Sequence, residues 1–160
     1  MDNIFWSNIF RSGDSELQTI ARLWQQTPLF DDIPERQIEL LCGKMHLRRF
    51  EEGETVFKQG DQGAGAILVL EGGVRIMADK TELARLESGD FFGEIALAAP
   101  ERRTADAIAT RASRLVYMLR QDLEEWIEYQ PRLGARFLLN LSAALAQRLF
   151  EANRRLATQQ

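Results

Sequence analysis

The residues best placed to do chemistry lie close together: Gly93-Glu94 and, nine residues beyond the glutamate, Arg103-Thr104. Glycine at 93 lets the backbone approach a ligand closely. The following Glu94 to Ala98 is too rich in Ala and Leu for a strand. A single helical turn is therefore predicted just after the glycine, and free amides at a helix start suit a phosphate. Arg103 offers a planar fork for two phosphate oxygens, and Thr104 adds a hydroxyl beside it. Glu94 then puts a carboxylate where an anion should sit. That is reasonable only if the ligand also presents a hydroxyl, as a ribose with a free 2'-OH does. The set selects a phosphate and a sugar hydroxyl held close together, the layout of a cyclic nucleotide. A plain ion pair between Glu94 and Arg103 on a β surface is the competing reading, but it leaves the preceding glycine and the following hydroxyl as coincidences.

The elements that must position this stretch fall into three blocks. Asn3 to Phe10 carries Ile4, Phe5, Ile9 and Phe10 at helical spacing, Ser12-Gly13-Asp14 interrupts, and Ser15 to Gln26 resumes with Leu17, Ile20, Leu23 and Trp24. A further helix is expected from Asp32, capped by that side chain with Pro34 in its first turn and Glu35 completing a capping box, and stopped by Gly43. From Met45 to Leu119, short apolar stretches alternate with turn signals such as Gly72-Gly73, Asp79-Lys80 and Ser88-Gly89-Asp90. Strands over Thr55–Lys58, Ala66–Leu70, Val74–Met77 and Leu115–Leu119 at that spacing predict a closed antiparallel roll rather than parallel α/β units. Helical periodicity returns in Asp122–Tyr129 and, after Pro131, in a long run ending near Ala157. Its apolar positions Leu138, Leu141, Leu145 and Ala152, widened by Phe137, Ala144 and Leu149, suit packing against the roll, a twin helix, or both.

Composition narrows the functional classes. The 160 residues are 45% hydrophobic and 28% charged, typical of one soluble globular domain. With 20 basic against 24 acidic residues the net charge is -4, so no global positive field draws in a nucleic-acid backbone. One cysteine, Cys42, excludes an internal disulfide. One histidine, His46, excludes a metal held by several imidazoles and makes a Ser-His-Asp or Cys-His arrangement implausible, so no enzyme is expected and both residues are assigned structural roles. There is no basic n-region at the start and no apolar run near the roughly 18 residues of a spanning helix, which points to a cytoplasmic protein. The crowded Phe5, Trp6, Ile9 and Phe10 are expected to dock on this chain or a twin rather than on a membrane, since basic residues are lacking there.

With these residues in view, the sequence resembles the cyclic nucleotide-binding domains found in the catabolite activator protein, kinase regulatory subunits and gated channels. Phe92-Gly93-Glu94-Ile95-Ala96-Leu97 followed by Arg103-Thr104-Ala105 is similar to that family's phosphate-binding cassette. Leu29-Phe30 and Ile33, Phe57-Lys58-Gln59-Gly60-Asp61, Leu70-Glu71-Gly72-Gly73-Val74, the Ser88-Gly89-Asp90 turn and the helix through Trp126 and Pro131 resemble its framework, over roughly Thr27 to Leu156. The resemblance implies that Glu94 accepts from the ribose 2'-OH, that Arg103 pairs with the cyclic phosphate, and that amides around Ile95, Ala96 and Thr104 complete the phosphate cage. Arg102, one short of that spacing and without a following hydroxyl, is expected to face solvent. Matching Leu141 to Leu149 with the long helix of the activator protein places Ala152 and Asn153 against the base, where Asn153 could meet either purine edge.

The expectation is thus an α+β fold, an antiparallel β-roll of jelly-roll type flanked by N-terminal helices and a long C-terminal helix. Residues 1–26 form a helical extension and 27–160 the nucleotide-binding domain, with the roll at about 44–120 and the C-terminal helices at about 121–158. The expected ligand is cAMP or cGMP, with no cofactor and no metal. Arg148, Arg154 and Arg155 are read as cations favourably placed near a helix C-terminus, and the chain stops at Gln160, a few residues past that helix, so no DNA reader is expected. Expected partners are a second copy through the C-terminal helix and a protein effector that senses movement of the C-terminal and N-terminal helices. The alternative is a ligand-free dimerisation scaffold with a vestigial cassette.

Overall fold

The computed structural model describes residues 7–8 and 14–158. Among the described residues, nine strands form two antiparallel sheets. The first, in the order β1-β2-β9-β4-β7, is built from β1 (Ser7–Asn8), β2 (His46–Phe50), β9 (Ser113–Leu119), β4 (Gly65–Glu71) and β7 (Phe91–Phe92). The second, in the order β3-β8-β5-β6, comprises β3 (Thr55–Phe57), β8 (Asp106–Ala109), β5 (Gly73–Ala78) and β6 (Thr81–Glu87). The helices are α1 (Asp14–Gln25), α2 (Glu35–Cys42), α3 (Ile95–Ala98), α4 (Arg120–Tyr129) and α5 (Pro131–Thr158), with a 3-10 turn at Pro28–Phe30. This is the expected α+β roll, closed at one end by helices.

Strand β4 explains the layering. Its run of apolar residues is buried on both faces, as a strand between two cores must be. Alternation sends Ala66, Leu68 and Leu70 to a core shared with the helices, and Ile67 and Val69 to a core between the sheets. Neighbouring β9 divides likewise, Val116 and Met118 to the helical side and Leu115 to the roll interior. The helical core is tied together by aromatic edges: Trp24 meets Phe30 at 5.7 Å, Phe30 meets Phe137 at 5.1 Å, and Phe137 meets Trp126 at 6.4 Å. Helix α1 belongs to this core, with Ile20, Ala21 and Trp24 fully buried. Cys42 is buried there too, and burial pushes its thiol pKa up.

Two local expectations are corrected. Ser7–Asn8, expected within a helix over Asn3–Phe10, is a strand paired with Leu47 and His46. The open edge of β2 offers a ladder that a short isolated helix cannot match. The rest of that segment, including Phe5, Trp6, Ile9 and Phe10, lies outside the described residues. Asp32 does not cap α2: it sits at φ 60, and the helix starts at Glu35, where the Pro34 carbonyl accepts from the amides of Gln37 and Ile38. Proline disfavours helical backbone in the residue before it, so the helix starts just after the ring, and aspartate tolerates the left-handed turn upstream.

Long helix α5 packs on α4 and on the 3-10 turn. Gly134 packs against α4 so closely that a Cβ would lie 2.7 Å from Ile127 Cγ2. Asn140 Nδ2 donates to the carbonyls of Leu29 and Asp31 at 3.0 and 2.8 Å, fastening α5 to the 3-10 turn. Beyond Leu141 the half-buried Ala144 and Leu145 still pack against the core, whereas Leu149, Phe150 and Leu156 are each more than half exposed.

Candidate functional site

Strand β7 delivers the chain to Gly93, whose φ of +73 is open to glycine and strained for other residues. There is no room for a side chain either, since a Cβ would lie 2.4 Å from Arg103 Nη1. Helix α3 follows as the predicted single turn. Two of its amides are in use: Ala96 N–H donates to Gly93 O at 3.2 Å and Leu97 N–H to Glu94 O at 3.0 Å. The strand after the loop is set by backbone bonds to the β3–β4 connection, where Arg103 N–H donates to Asp61 O and Gly60 N–H to Arg103 O, both at 2.8 Å. Asp106 Oδ1 accepts from the Gln59 amide in the same connection.

These elements enclose a cavity of about 400 Å³, within the range of small-molecule sites. Gly93, Glu94, Ile95, Ala96, Arg103 and Thr104 line one side of it. Arg103 lies half-buried with its guanidinium 4.3 Å from the centre of the Phe57 ring. Nη1 donates to Gly93 O and Nη2 to Gly65 O, each at 3.0 Å. Those bonds fix the plane of the fork and use two of its five N–H groups. Burial lowers the Arg103 pKa, opposed by Tyr117, Glu94 and Asp61. Burial likewise pushes the Tyr117 phenol up to about 12, against the pull of Arg48 and Arg103.

Glu94 is the anomaly of the site. It is 1% exposed, yet its Oε2 has no hydrogen-bonding partner among the described residues. Its Oε1 pairs at 2.5 Å with Nη1 of Arg148, which reaches in from α5 and lies over the Phe91 ring. A buried carboxylate oxygen without a donor is costly, and Glu94 belongs to the lining of a ligand-sized cavity. The structure therefore separates Glu94 and Arg103 into distinct roles: the glutamate pairs across to α5 and the arginine is held by backbone carbonyls.

Arg102 is exposed, as expected, and donates to Gly60 O at 2.8 Å. Asn153 is not brought to the cavity. The face of α5 that lines it carries Arg148, Glu151, Ala152 and Arg155, and Asn153 lies on the opposite side, between the exposed Leu149, Phe150 and Leu156. Sequence reasoning missed Arg148, Glu151 and Arg155 as site residues. The signal available was their i, i+3, i+7 spacing, a polar stripe on one helical face. It also missed Leu83 of β6, which stands half-exposed at the rim. Among the described residues no cluster of His, Cys, Asp or Glu is placed to hold a metal ion, and no helix is long and apolar enough to cross a membrane.

Comparison with known proteins agrees with this fold. The cyclic nucleotide-binding domain family model matches residues 47–130, more than half of the chain. The chain belongs to that family. It is 32% identical over 132 residues to the cyclic AMP receptor protein of Thermus thermophilus, covering 79% of this chain and 59% of the relative. The crystal structure of the Thermus thermophilus catabolite activator protein superposes with a TM-score of 0.72 at 33% identity, over 83% of this chain and 63% of that one. A cyclic nucleotide-binding domain from Methylobacillus flagellatus shares the fold, with a TM-score of 0.77 at 21% identity over 96% of both chains. The chain thus spans about six tenths of the length of the Thermus relative.

Proposed function

We propose that this chain senses a cyclic nucleotide, cAMP or cGMP, and reports its presence through α5 rather than catalysing a reaction. The observation that carries the reading is the buried Glu94 with an unpartnered Oε2 in the cavity that also holds Arg103. In this reading the free N–H groups of Arg103 take the cyclic phosphate, and Glu94 Oε2 accepts from the ribose 2'-OH. Amides of Ile95, Ala96 and Thr104 complete the cage, the Ala96 amide by exchanging its bond to Gly93 O for one to phosphate.

Signal and ligand meet at one carboxylate. Glu94 holds α5 through Arg148, so a hydroxyl arriving on Glu94 alters the bond that anchors the outer part of α5. By linkage, whatever reads α5 changes ligand affinity by the same factor. The apolar face of Leu149, Phe150 and Leu156 on that outer part suits a second copy of the chain, which makes a symmetric dimer the proposed assembly. A protein effector is the proposed reader, and the cytoplasm the proposed compartment.

Calorimetric titration with cAMP, with cGMP and with the 2'-deoxy form of the better ligand tests the assignment. Loss of the 2'-OH is expected to cost about 1.5–3 kcal/mol, the worth of a hydrogen bond to a charged group. Arg103→Ala is expected to cost about 2–5 kcal/mol in binding, as for removal of one partner of a buried charged pair. Heat from neither nucleotide, with any carried ligand removed by unfolding and refolding, would favour a ligand-free scaffold.

A further inference from the structure

The segment that carries Arg103 and Thr104 is zipped to the β3–β4 connection along most of its length. Strands β3 and β8 pair at Thr55 with Ile108 and at Phe57 with Ala107. Further along, Arg103 exchanges backbone bonds with Asp61 and Gly60, Gly63 N–H donates to Glu101 O at 3.1 Å, and Gln62 Nε2 donates to Pro100 O at 2.9 Å. Between those two stretches the backbones part: the chain bends at Thr104 and Ala105, and Thr104 lines the cavity. The Gln59 amide stands at that gap. Its acceptor is a side chain, Asp106 Oδ1 at 2.7 Å, on the first residue of β8. A carboxylate there takes the place of a ladder carbonyl, with the added strength of a charged acceptor. The same connection runs on to Gly65, whose carbonyl accepts from Arg103 Nη2.

We propose that Asp106 is a positioning residue for the phosphate end of the site, holding the bend from which Arg103 and Thr104 face the ligand. This rests on the cyclic nucleotide reading above and deepens it. Asp106 does not line the cavity, so it acts through the connection and not on the ligand. Gln59 is exposed, and its amide would find water if the carboxylate were absent. The bond is therefore not needed to satisfy a buried donor, and what it supplies is order. Gln59 adjoins Gly60, whose amide holds the Arg103 carbonyl, and Asp61, whose carbonyl holds the Arg103 amide. Fixing Gln59 thus fixes both backbone groups of Arg103, while Gly65 fixes its fork. Without that tie, ordering the bend becomes part of the cost of binding, and affinity falls accordingly.

The experiment compares wild type, Asp106→Ala and Asp106→Asn of the full chain by calorimetric titration with cAMP and with cGMP, the fold of each checked by circular dichroism. Asparagine keeps the Oδ1 acceptor and loses the charge. Asp106→Ala is expected to bind the tighter nucleotide at least about fivefold more weakly, and Asp106→Asn to stay within about threefold of wild type. Amide hydrogen exchange without nucleotide reads the bend itself. At Gly60 and Arg103 it is expected to quicken at least about fivefold in Asp106→Ala and to remain near wild type in Asp106→Asn. Unchanged affinity in Asp106→Ala overturns the proposal and leaves the sensor reading standing. Asp106→Asn as weak as Asp106→Ala overturns the role of the Oδ1 acceptor. Unchanged exchange at Gly60 and Arg103 overturns the claim that Asp106 holds the bend. Binding of neither nucleotide by the wild type overturns the sensor reading and the proposal together.

Discussion

The two halves of α5 obey different rules. From Pro131 to Leu141 the helix is a core element: Gly134, Phe137 and Leu141 are buried, and Asn140 fastens it to the 3-10 turn. From Ser142 to Thr158 no residue is fully buried, and the described ties are the half-buried Ala144 and Leu145 against the helical core and the Arg148 side chain, which meets the Glu94 carboxylate and, at 3.5 Å, Phe91 O. Yet the outer half carries the cavity-facing groups on one side and the exposed apolar residues on the other. A rigidly docked first half gives the outer half a fixed point of departure, while its weak attachment lets small interactions decide its direction. Stability lives in the first half and response in the second.

That contrast can be tested at three strengths. The largest effect is expected from Phe137→Ala, which empties a site ringed by Phe30 and Trp126 and should cost about 3–5 kcal/mol of stability in chemical denaturation. A cost below about 1 kcal/mol would mean that the first half is not anchored there. Next is Arg148→Ala, which leaves Glu94 buried without its cation. Because Arg148 is itself half-exposed, the expected loss is about 1–3 kcal/mol. A double-mutant cycle with Glu94→Gln should show that most of this is coupling between the two. Additive effects would place the contribution of Arg148 in its stacking on Phe91 instead. The smallest effect on fold stability is expected from Leu149→Ser with Phe150→Ser, within about 0.5 kcal/mol for the monomer, as for surface positions generally. Sedimentation of the same variant should show loss of the dimer, and a variant that stays dimeric would move the interface elsewhere.

Legibility in the sequence followed the physics of each segment. Strand β4 was visible because a buried strand that ends in a glycine turn leaves an unbroken apolar run, and β5 and β9 because short apolar stretches lie between turn signals; the observed bounds differ from the expected ones by a residue or two. The cassette was visible because a glycine, a carboxylate and a distant arginine carry chemistry at a fixed spacing. Glu94's burial and Arg148's attachment to it were not, since each depends on where α5 meets the roll, a tertiary fact with no local signature. Reading Arg148 as a cation suited to a helix end used a true principle that explained the wrong contact. Asn153 was placed against the base by alignment alone, and helix phase puts it on the apolar face. The strand at Ser7–Asn8 was hidden because two residues set no period, and its partner strand lies far along the chain.

Full burial of α5 ends at Leu141, which makes the helix a lever with a short arm inside the protein and a longer arm beyond it. At 1.5 Å per residue, the length from Leu141 to Thr158 is about 25 Å, so a tilt of about ten degrees at Leu141 sweeps the far end through about 4 Å. Glu94 meets this arm at Arg148, less than half of the way along it. Displacement at the carboxylate is therefore magnified more than twofold at the tip, and the same leverage works in reverse, so that a modest force on the tip reaches Glu94 increased by that ratio.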